Sequence, residues 1–111
     1  MVFYLYSVYD PLHPSVLRLI YRVIEAGRSA GIPVSMCGEM AADPEFTRLL
    51  LGLGLREFSM EASSLLQIKQ LVLNTTVCDL EKTAKDALQC LEQDRLRNMV
   101  EQLNIDKVST V

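Results

Sequence analysis

The stretch from residue 33 to residue 60 constrains the fold of this 111-residue sequence more than any other. Residues 34–36 form a short run between a proline and a glycine, which predicts a strand. About ten residues with helical signals follow, and residues 55–60 predict a second strand. A strand, a short helix and a strand in this order are typical of parallel sheets, so we predict an α/β fold.

The helix between these strands has clear signals at both ends. Asp43 is a favourable N-cap, Pro44 fits the first helical position and Glu45 adds negative charge to the first turn. The helix is therefore predicted to start at Pro44. Gly52 and Gly54 are predicted to supply the backbone freedom that ends it.

The residues before this stretch predict one strand and one helix. Residues 2–9 are rich in β-branched and aromatic residues and predict a strand. Pro14 or Ser15 opens a helix that continues to about Ser29. Its apolar positions repeat at helical spacing, and its opposite face carries charged side chains that we expect in solvent, namely Arg18, Arg22, Glu25 and Arg28.

The residues after this stretch predict three helices. The first runs from about Ser63 to Leu73, with an inward face of Leu65, Ile68, Leu71 and Val72. After a break at residues 74–77, two amphipathic helices are predicted over about residues 78–104, with apolar positions at Leu80, Ala84, Ala87, Leu88, Leu91, Leu96, Met99, Val100 and Leu103. Residues 105–111 are expected to form a disordered tail.

Composition narrows the classes of partner and site. A net charge of −3 from 11 basic and 14 acidic residues gives no polycationic surface, so neither nucleic acid nor an anionic membrane is expected as a partner. No apolar run approaches the roughly 20 residues of a membrane span. Cys37, Cys78 and Cys90 are odd in number and widely spaced, which favours free thiols in a reducing cytoplasm. His13 is the single histidine, which leaves too few ligands for a zinc site.

Two parallel strands are too few for a stable sheet, so they are expected to belong to a larger one. The most chemically versatile cluster, Cys37-Gly38-Glu39, stands where the first of them meets its turn. A cysteine after a short strand is usually a small buried hydrophobic residue, and a catalytic role needs further support.

Two segments carry a family resemblance: Ser35–Pro44, which reads SMCGEMAADP, and Leu49–Met60, which reads LLLGLGLREFSM. They resemble the C-terminal end of phosphoenolpyruvate-protein phosphotransferase, enzyme I of the bacterial sugar phosphotransferase system. Tyr9–Leu17, which reads YDPLHPSVL, is similar to the segment that precedes that end, and its Leu-His-Pro sequence leans toward the nitrogen-regulatory branch. The resemblance covers about residues 8–104.

The resemblance implies a fold. The family's phosphoenolpyruvate-binding domain is a (β/α)8 TIM barrel, and residues 1–111 would be part of it: the last two βα units, followed by C-terminal helices. Cys37 would then lie at the C-terminal end of a parallel strand, where barrel active sites assemble.

The resemblance also implies the chemistry. In the family, the cysteine that matches Cys37 is the proton donor: when phosphoenolpyruvate gives its phosphoryl group to an active-site histidine, carbon 3 of the pyruvate enolate must take a proton. Cysteine thiols ordinarily have a pKa of roughly 8.5, so near neutral pH most carry the proton that this step needs. Gly38 is expected to allow close approach of the substrate, and Glu39 to bind substrate or orient the turn.

Other parts of the family's machinery have no counterpart in this sequence. The phosphorylated histidine of an N-terminal domain, the phosphate-binding arginines and the ligands of magnesium, the metal of the complete enzyme, are all expected elsewhere. The same holds for the docking site of the HPr-type phosphocarrier protein. We therefore expect the isolated chain to be inactive. The complete enzyme is expected to be cytoplasmic and to form homodimers or to self-associate in another way.

Three alternatives stay open from the sequence. Pyruvate phosphate dikinase and phosphoenolpyruvate synthase share the Cys-Gly-Glu block, although their later strand usually differs from Phe58-Ser59-Met60. A non-catalytic, self-associating module is also compatible with the amphipathic helices. The sequence departs from the family pattern at Ala42, where a glycine is frequent, and at Glu61-Ala62, where Ser-Pro is common. The first departure leaves the geometry of the turn after Cys37 open.

Overall fold

The computed structural model describes residues 12–108, with side chains to residue 105. The predicted strand over residues 2–9 lies outside the described residues. The elements are α1 (Pro14–Ala30), β1 (Ser35–Cys37), α2 (Glu39–Ala42), α3 (Pro44–Leu53), β2 (Glu57–Ser59), α4 (Ala62–Leu73), α5 (Val77–Leu88) and α6 (Gln93–Val108). The chain is thus rich in helix and contains a small parallel sheet.

Helix α1 starts at Pro14, one of the two starts that the sequence predicts. The ring Nδ1 of His13 accepts a hydrogen bond of 3.1 Å from the backbone N–H of Ser15, so His13 caps the helix. Gly31 ends it with a φ of 69°, a left-handed conformation that glycine adopts without steric cost. The helix then lies close to the chain that enters β1: a Cβ on Gly27 would contact the Val34 side chain.

Strands β1 and β2 pair in parallel, which confirms the predicted strand–helix–strand unit. Met36 pairs with Phe58, and both pack in the hydrophobic core. Cys37 pairs with Ser59 at the C-terminal end of the sheet. Because side chains alternate along a strand, Cys37 and Ser59 share the sheet face opposite to the core.

Helix α3 starts at Pro44, and its capping also follows the prediction. The Asp43 carboxylate accepts a 2.9 Å hydrogen bond from the Glu45 backbone N–H. Gly54 ends the helix with a φ of 109°, whereas Gly52 lies inside it. The prediction that Gly52 helps to end the helix was therefore wrong. The short helix α2, which precedes α3, was not predicted.

Helix α3 is the centre of the molecule, because all its residues from Phe46 to Leu53 are buried. It packs against α4, α5 and α6. At Gly52, α5 approaches so closely that an added Cβ would lie 2.8 Å from the Ala84 Cβ and 2.9 Å from the Leu80 carbonyl oxygen. Gly52 is therefore a packing position, where the absence of a side chain lets two helices meet.

Helix α4 runs from Ala62 to Leu73, close to the predicted bounds, but its buried face is narrower than predicted. Ile68 is buried and Leu71 is half-buried, whereas Leu65 and Val72 are exposed. Their predicted inward position was wrong, because the helical period marks an apolar face without showing what covers it. Leu66 and Leu73 are also exposed, by 78% and 74%.

Helices α5 and α6 cover one side of α3. Leu80, Ala84 and Ala87 from α5, and Leu96, Val100 and Leu103 from α6, are buried as predicted. Leu91 is 81% exposed, because α5 ends at Leu88 and the helical repeat does not extend to it. Helix α6 continues to Val108, past the expected start of the tail at residue 105, and residues 109–111 lie outside the described part.

Two arginines have partners that the sequence did not indicate. Arg18 donates hydrogen bonds to the carbonyl oxygens of Leu88 (3.0 Å) and Cys90 (2.9 Å), at the end of α5. It belongs to a helix–helix contact, and its predicted place on a solvated face was wrong. Arg48 of α3 is only 6% exposed and donates a 3.2 Å hydrogen bond to the side-chain oxygen of Asn104 in α6.

Part of the Arg48 side chain is buried without a hydrogen-bond partner among the described residues. The atom concerned is its Nε. Desolvation lowers the pKa of the guanidinium from its ordinary value of 12.5, because burial disfavours the charged form.

No helix among residues 12–108 combines the length and the apolar character needed to cross a membrane.

Candidate functional site

The candidate site lies at the C-terminal ends of the two parallel strands. Strand β1 ends at Cys37, which is half-buried with a free thiol, and the chain turns at Gly38 into α2. Strand β2 ends beside it at Ser59. The pairing brings the first residues after each strand to the same edge of the sheet, where parallel α/β folds bind ligands.

A groove of about 760 Å³ opens at this edge. It is lined by Cys37, Gly38, Glu39, Ala42, Asp43, Pro44, Ser59, Met60, Glu61 and Ser64. The three residues predicted for the site, Cys37, Gly38 and Glu39, therefore all line this groove. Ser59 at the end of β2 and Ser64 near the start of α4 also line it.

Gly38 allows the sharp turn that keeps Cys37 at the groove. Its φ of 87° and ψ of −157° belong to a region that residues with a side chain rarely adopt. No atom lies within 4 Å of the position that a Cβ would take, so the constraint comes from the backbone conformation. Its open surroundings also agree with the expectation that a ligand approaches the backbone here, which remains a prediction.

Glu39 is exposed and begins α2. The turn itself is closed by backbone hydrogen bonds, from the N–H of Ala42 to the carbonyl of Gly38 (3.2 Å) and from the N–H of Asp43 to the carbonyl of Met40 (3.4 Å). Within residues 12–105, the Glu39 carboxylate accepts no hydrogen bond that would orient this turn. Glu39 lines the groove, and a role in ligand binding stays a prediction.

The groove is acidic. Glu39, Asp43 and Glu61 bring three carboxylates to its lining, and none of the described lining residues is lysine, arginine or histidine. No three His, Cys, Asp or Glu side chains in the described part of the chain are grouped as metal ligands would be. These residues therefore do not fit a magnesium site by themselves, and no step below uses the metal.

The sequence reasoning missed the lining residues from the end of β2 onward: Ser59, Met60, Glu61 and Ser64. It assigned Asp43 only a capping role, although Asp43 also lines the groove. A signal was available, since the residues after two parallel strands must meet at one edge once the strands are paired. His13, Cys78 and Cys90 are not among the lining residues.

Comparison with known proteins identifies the family. Residues 2–77 match the family described as PEP-utilising enzyme, PEP-binding domain, where PEP is phosphoenolpyruvate. The phosphoenolpyruvate-protein phosphotransferase of Cupriavidus necator is 47% identical over 96 residues, which are 86% of this chain and 16% of that protein. Its namesake in Haemophilus influenzae is 42% identical over 99 residues, 89% of this chain and 17% of that protein. The corresponding protein of Staphylococcus carnosus is 40% identical over 95 residues, 86% and 17% respectively.

The chain thus spans 16–17% of the length of these relatives. The match to the family covers β1, the groove turn, α3 and β2, and it includes every described residue that lines the groove. This chain belongs to the family of PEP-utilising enzymes, within their PEP-binding domain.

Proposed function

We propose that this chain is the C-terminal part of a phosphoenolpyruvate-protein phosphotransferase, in which the Cys37 thiol protonates carbon 3 of the pyruvate enolate. The observation that carries the proposal is the position of Cys37, half-buried at the end of a parallel strand and lining a groove. The relatives named above support a phosphotransferase over a dikinase or a synthase.

The proposed reaction moves one proton from the Cys37 thiol to carbon 3 of the enolate. Departure of the phosphoryl group to a histidine of the complete enzyme leaves the enolate of pyruvate. The S–H bond of Cys37 breaks, its proton forms a C–H bond at carbon 3, and the electron pair stays on sulfur as a thiolate. The enolate oxygen becomes the keto oxygen of pyruvate, and the thiolate regains a proton from water. A half-buried thiol can serve both steps, since the groove admits substrate and solvent.

The charge of the groove supports the proposal that the rest of the site lies outside this chain. Phosphoenolpyruvate is an anion, and each carboxylate about 8 Å from an anionic group costs about 0.5 kcal/mol even in water. Three carboxylates without a basic partner in the described lining therefore oppose binding. We expect the cationic groups, and any magnesium, to come from the other parts of the complete enzyme, where we also place the contact with the HPr-type phosphocarrier protein.

The sheet supports a barrel as the complete fold. Met36 and Phe58 pack in the core on one face, while the other face carries Cys37 and Ser59. In a (β/α)8 barrel the helices cover the outer face, and the inner face meets the side chains of the other strands. The two strands with α3 and α4 would be the last two βα units, and α5 and α6 the C-terminal helices. Three unpaired cysteines support a cytoplasmic location.

The test uses the complete enzyme and measures pyruvate formation from phosphoenolpyruvate. Cys37→Ala should lower turnover by about 10²- to 10⁴-fold, the usual contribution of a positioned acid. Cys78→Ala removes an exposed thiol of α5 outside the groove and should leave turnover unchanged. Normal turnover of Cys37→Ala would refute the proton-donor role. The isolated chain should form no pyruvate, and pyruvate formation would refute its incompleteness.

A second candidate is a non-catalytic module that associates with itself. The exposed side chains Leu65, Leu66 and Leu73 on α4 favour it, because clustered apolar side chains often mark protein contacts. Sedimentation of the isolated chain separates the candidates. A defined dimer of the isolated chain, together with a complete enzyme that forms no pyruvate, would favour the module. A complete enzyme that is active and loses turnover with Cys37→Ala would favour the phosphotransferase.

A further inference from the structure

Ser59 is the neighbour of Cys37 across the sheet. The two residues are register partners in a parallel pair, and the strands of such a pair lie about 4.8 Å apart. Both side chains are on the face opposite to Met36 and Phe58, and both line the groove. Ser59 is exposed, and within residues 12–105 its hydroxyl has no hydrogen-bond partner. It is therefore free to rotate toward the sulfur of Cys37.

The proposed reaction makes such a neighbour useful. After proton transfer the sulfur is negatively charged, and the three carboxylates of the groove, Glu39, Asp43 and Glu61, all disfavour a second negative charge. A hydrogen-bond donor beside the sulfur would offset this effect. Hydroxyl donors in the described lining come only from Ser59 and Ser64, and Ser59 is the one paired with Cys37.

We propose that Ser59 is a positioning residue for the proton transfer: its hydroxyl donates a hydrogen bond to the Cys37 sulfur and stabilises the thiolate that the transfer leaves. This inference rests on the proposed function, since it needs Cys37 as the proton donor. Ser59 itself gives up no proton. Its O–H bond stays intact while the S–H bond breaks and the C–H bond at carbon 3 forms.

The test compares two side chains of equal shape in the complete enzyme. Ser59→Thr keeps the hydroxyl and Ser59→Val replaces it with a methyl group. Ser59→Val should lower kcat for pyruvate formation about ten- to hundredfold, the usual worth of a hydrogen bond to a charged group, while KM for phosphoenolpyruvate changes less than twofold. The solvent deuterium isotope effect on kcat should increase, because proton transfer becomes slower relative to other steps. Ser59→Thr should keep most of the activity.

Ser35→Ala is the matched control. Ser35 lies on the same face of β1, pairs with Glu57 at the other end of the strands and does not line the groove, so its loss should leave kcat unchanged. Equal kcat for Ser59→Thr and Ser59→Val would overturn the inference. A raised KM with an unchanged kcat would also overturn it, because it would make Ser59 a contact of the bound substrate.

The outcomes also separate this inference from the proposed function. If Cys37→Ala retains full turnover, the proposed function fails and the role of Ser59 fails with it. If Cys37→Ala is inactive and Ser59→Val behaves like Ser59→Thr, only the role of Ser59 is overturned. Circular dichroism of both variants checks the fold, which exposed Ser59 is not expected to affect.

Discussion

Gly52 gives the sharpest test of the packing, because two physical effects predict opposite results for Gly52→Ala. Alanine is favoured over glycine inside a helix by about 1 kcal/mol, which alone would stabilise α3. The new methyl group, however, would lie 2.8 Å from the Ala84 Cβ and 2.9 Å from the Leu80 carbonyl oxygen. Carbon atoms in contact prefer about 3.5–4.0 Å, so α5 would have to move away by about 1 Å.

We expect the steric effect to be larger. Inserting a methyl group into a close-packed core typically costs about 1–3 kcal/mol, and one of the two obstructing atoms is a backbone oxygen that a rotamer change cannot move. After the gain of about 1 kcal/mol in helix propensity, the net loss in the free energy of unfolding should be up to about 2 kcal/mol. A domain of this size would then lose up to roughly 15 °C in Tm.

The measurement is thermal or urea unfolding of the chain, followed by circular dichroism. The double variant Gly52→Ala/Ala84→Gly returns part of the space on α5 and should recover part of the loss. Ser29→Ala, at an exposed position of α1, controls for an added helix-favouring residue and should change stability by less than about 0.5 kcal/mol. If Gly52→Ala raises Tm, the close approach of α3 and α5 is refuted.

Two further predictions concern the arginines. Arg18→Met should lower the free energy of unfolding by about 1–3 kcal/mol, because it leaves two carbonyls at the end of α5 without their donor. Arg22→Met, on the exposed side of α1, is the control and should have little effect. Equal losses for the two variants in urea unfolding would contradict the contact. Arg48→Met should leave the free energy of unfolding unchanged or raise it by up to about 1 kcal/mol, because it removes a buried charge. Among the described residues, the only partner that it leaves is the side-chain oxygen of Asn104, which is half-buried and can accept a hydrogen bond from water. Because folding lowers the pKa of Arg48, its cost is present at every pH below the folded-state pKa and is relieved only as the pH rises through it. The difference between Arg48→Met and the parent should therefore be the same at pH 6 and pH 9, and a change across that range would refute the assignment.

The elements that could be predicted are those with local causes. Asp43 and Pro44 define the start of α3 through a cap and a fixed φ, and both act within three residues. The position of Cys37 at the end of a parallel strand followed from the strand–helix–strand order together with the family resemblance. These features depend little on which other segments pack nearby.

The features that were missed depend on distant parts of the chain. Leu65 and Arg18 show this from opposite directions: an apolar residue at helical spacing is exposed, and a charged one is held between helices. Gly52 was assigned to a helix end, because the sequence does not show that Ala84, 32 positions later, packs against it. Ser59 was missed at the site because its role depends on the register of β2 against β1.

The position of α3 links the groove to the C-terminal helices. Asp43 and Pro44, at its start, line the groove, and Gly52, near its end, is in tight contact with α5. A ten-residue helix is about 15 Å long and nearly rigid, so a displacement at one end must appear at the other as a shift or a tilt. The position of Asp43 and Pro44 in the groove lining thus depends on residues of α5 that lie more than 30 positions later in the sequence. Truncation or mutation within α5 would then alter the environment of the thiol without touching any residue beside it.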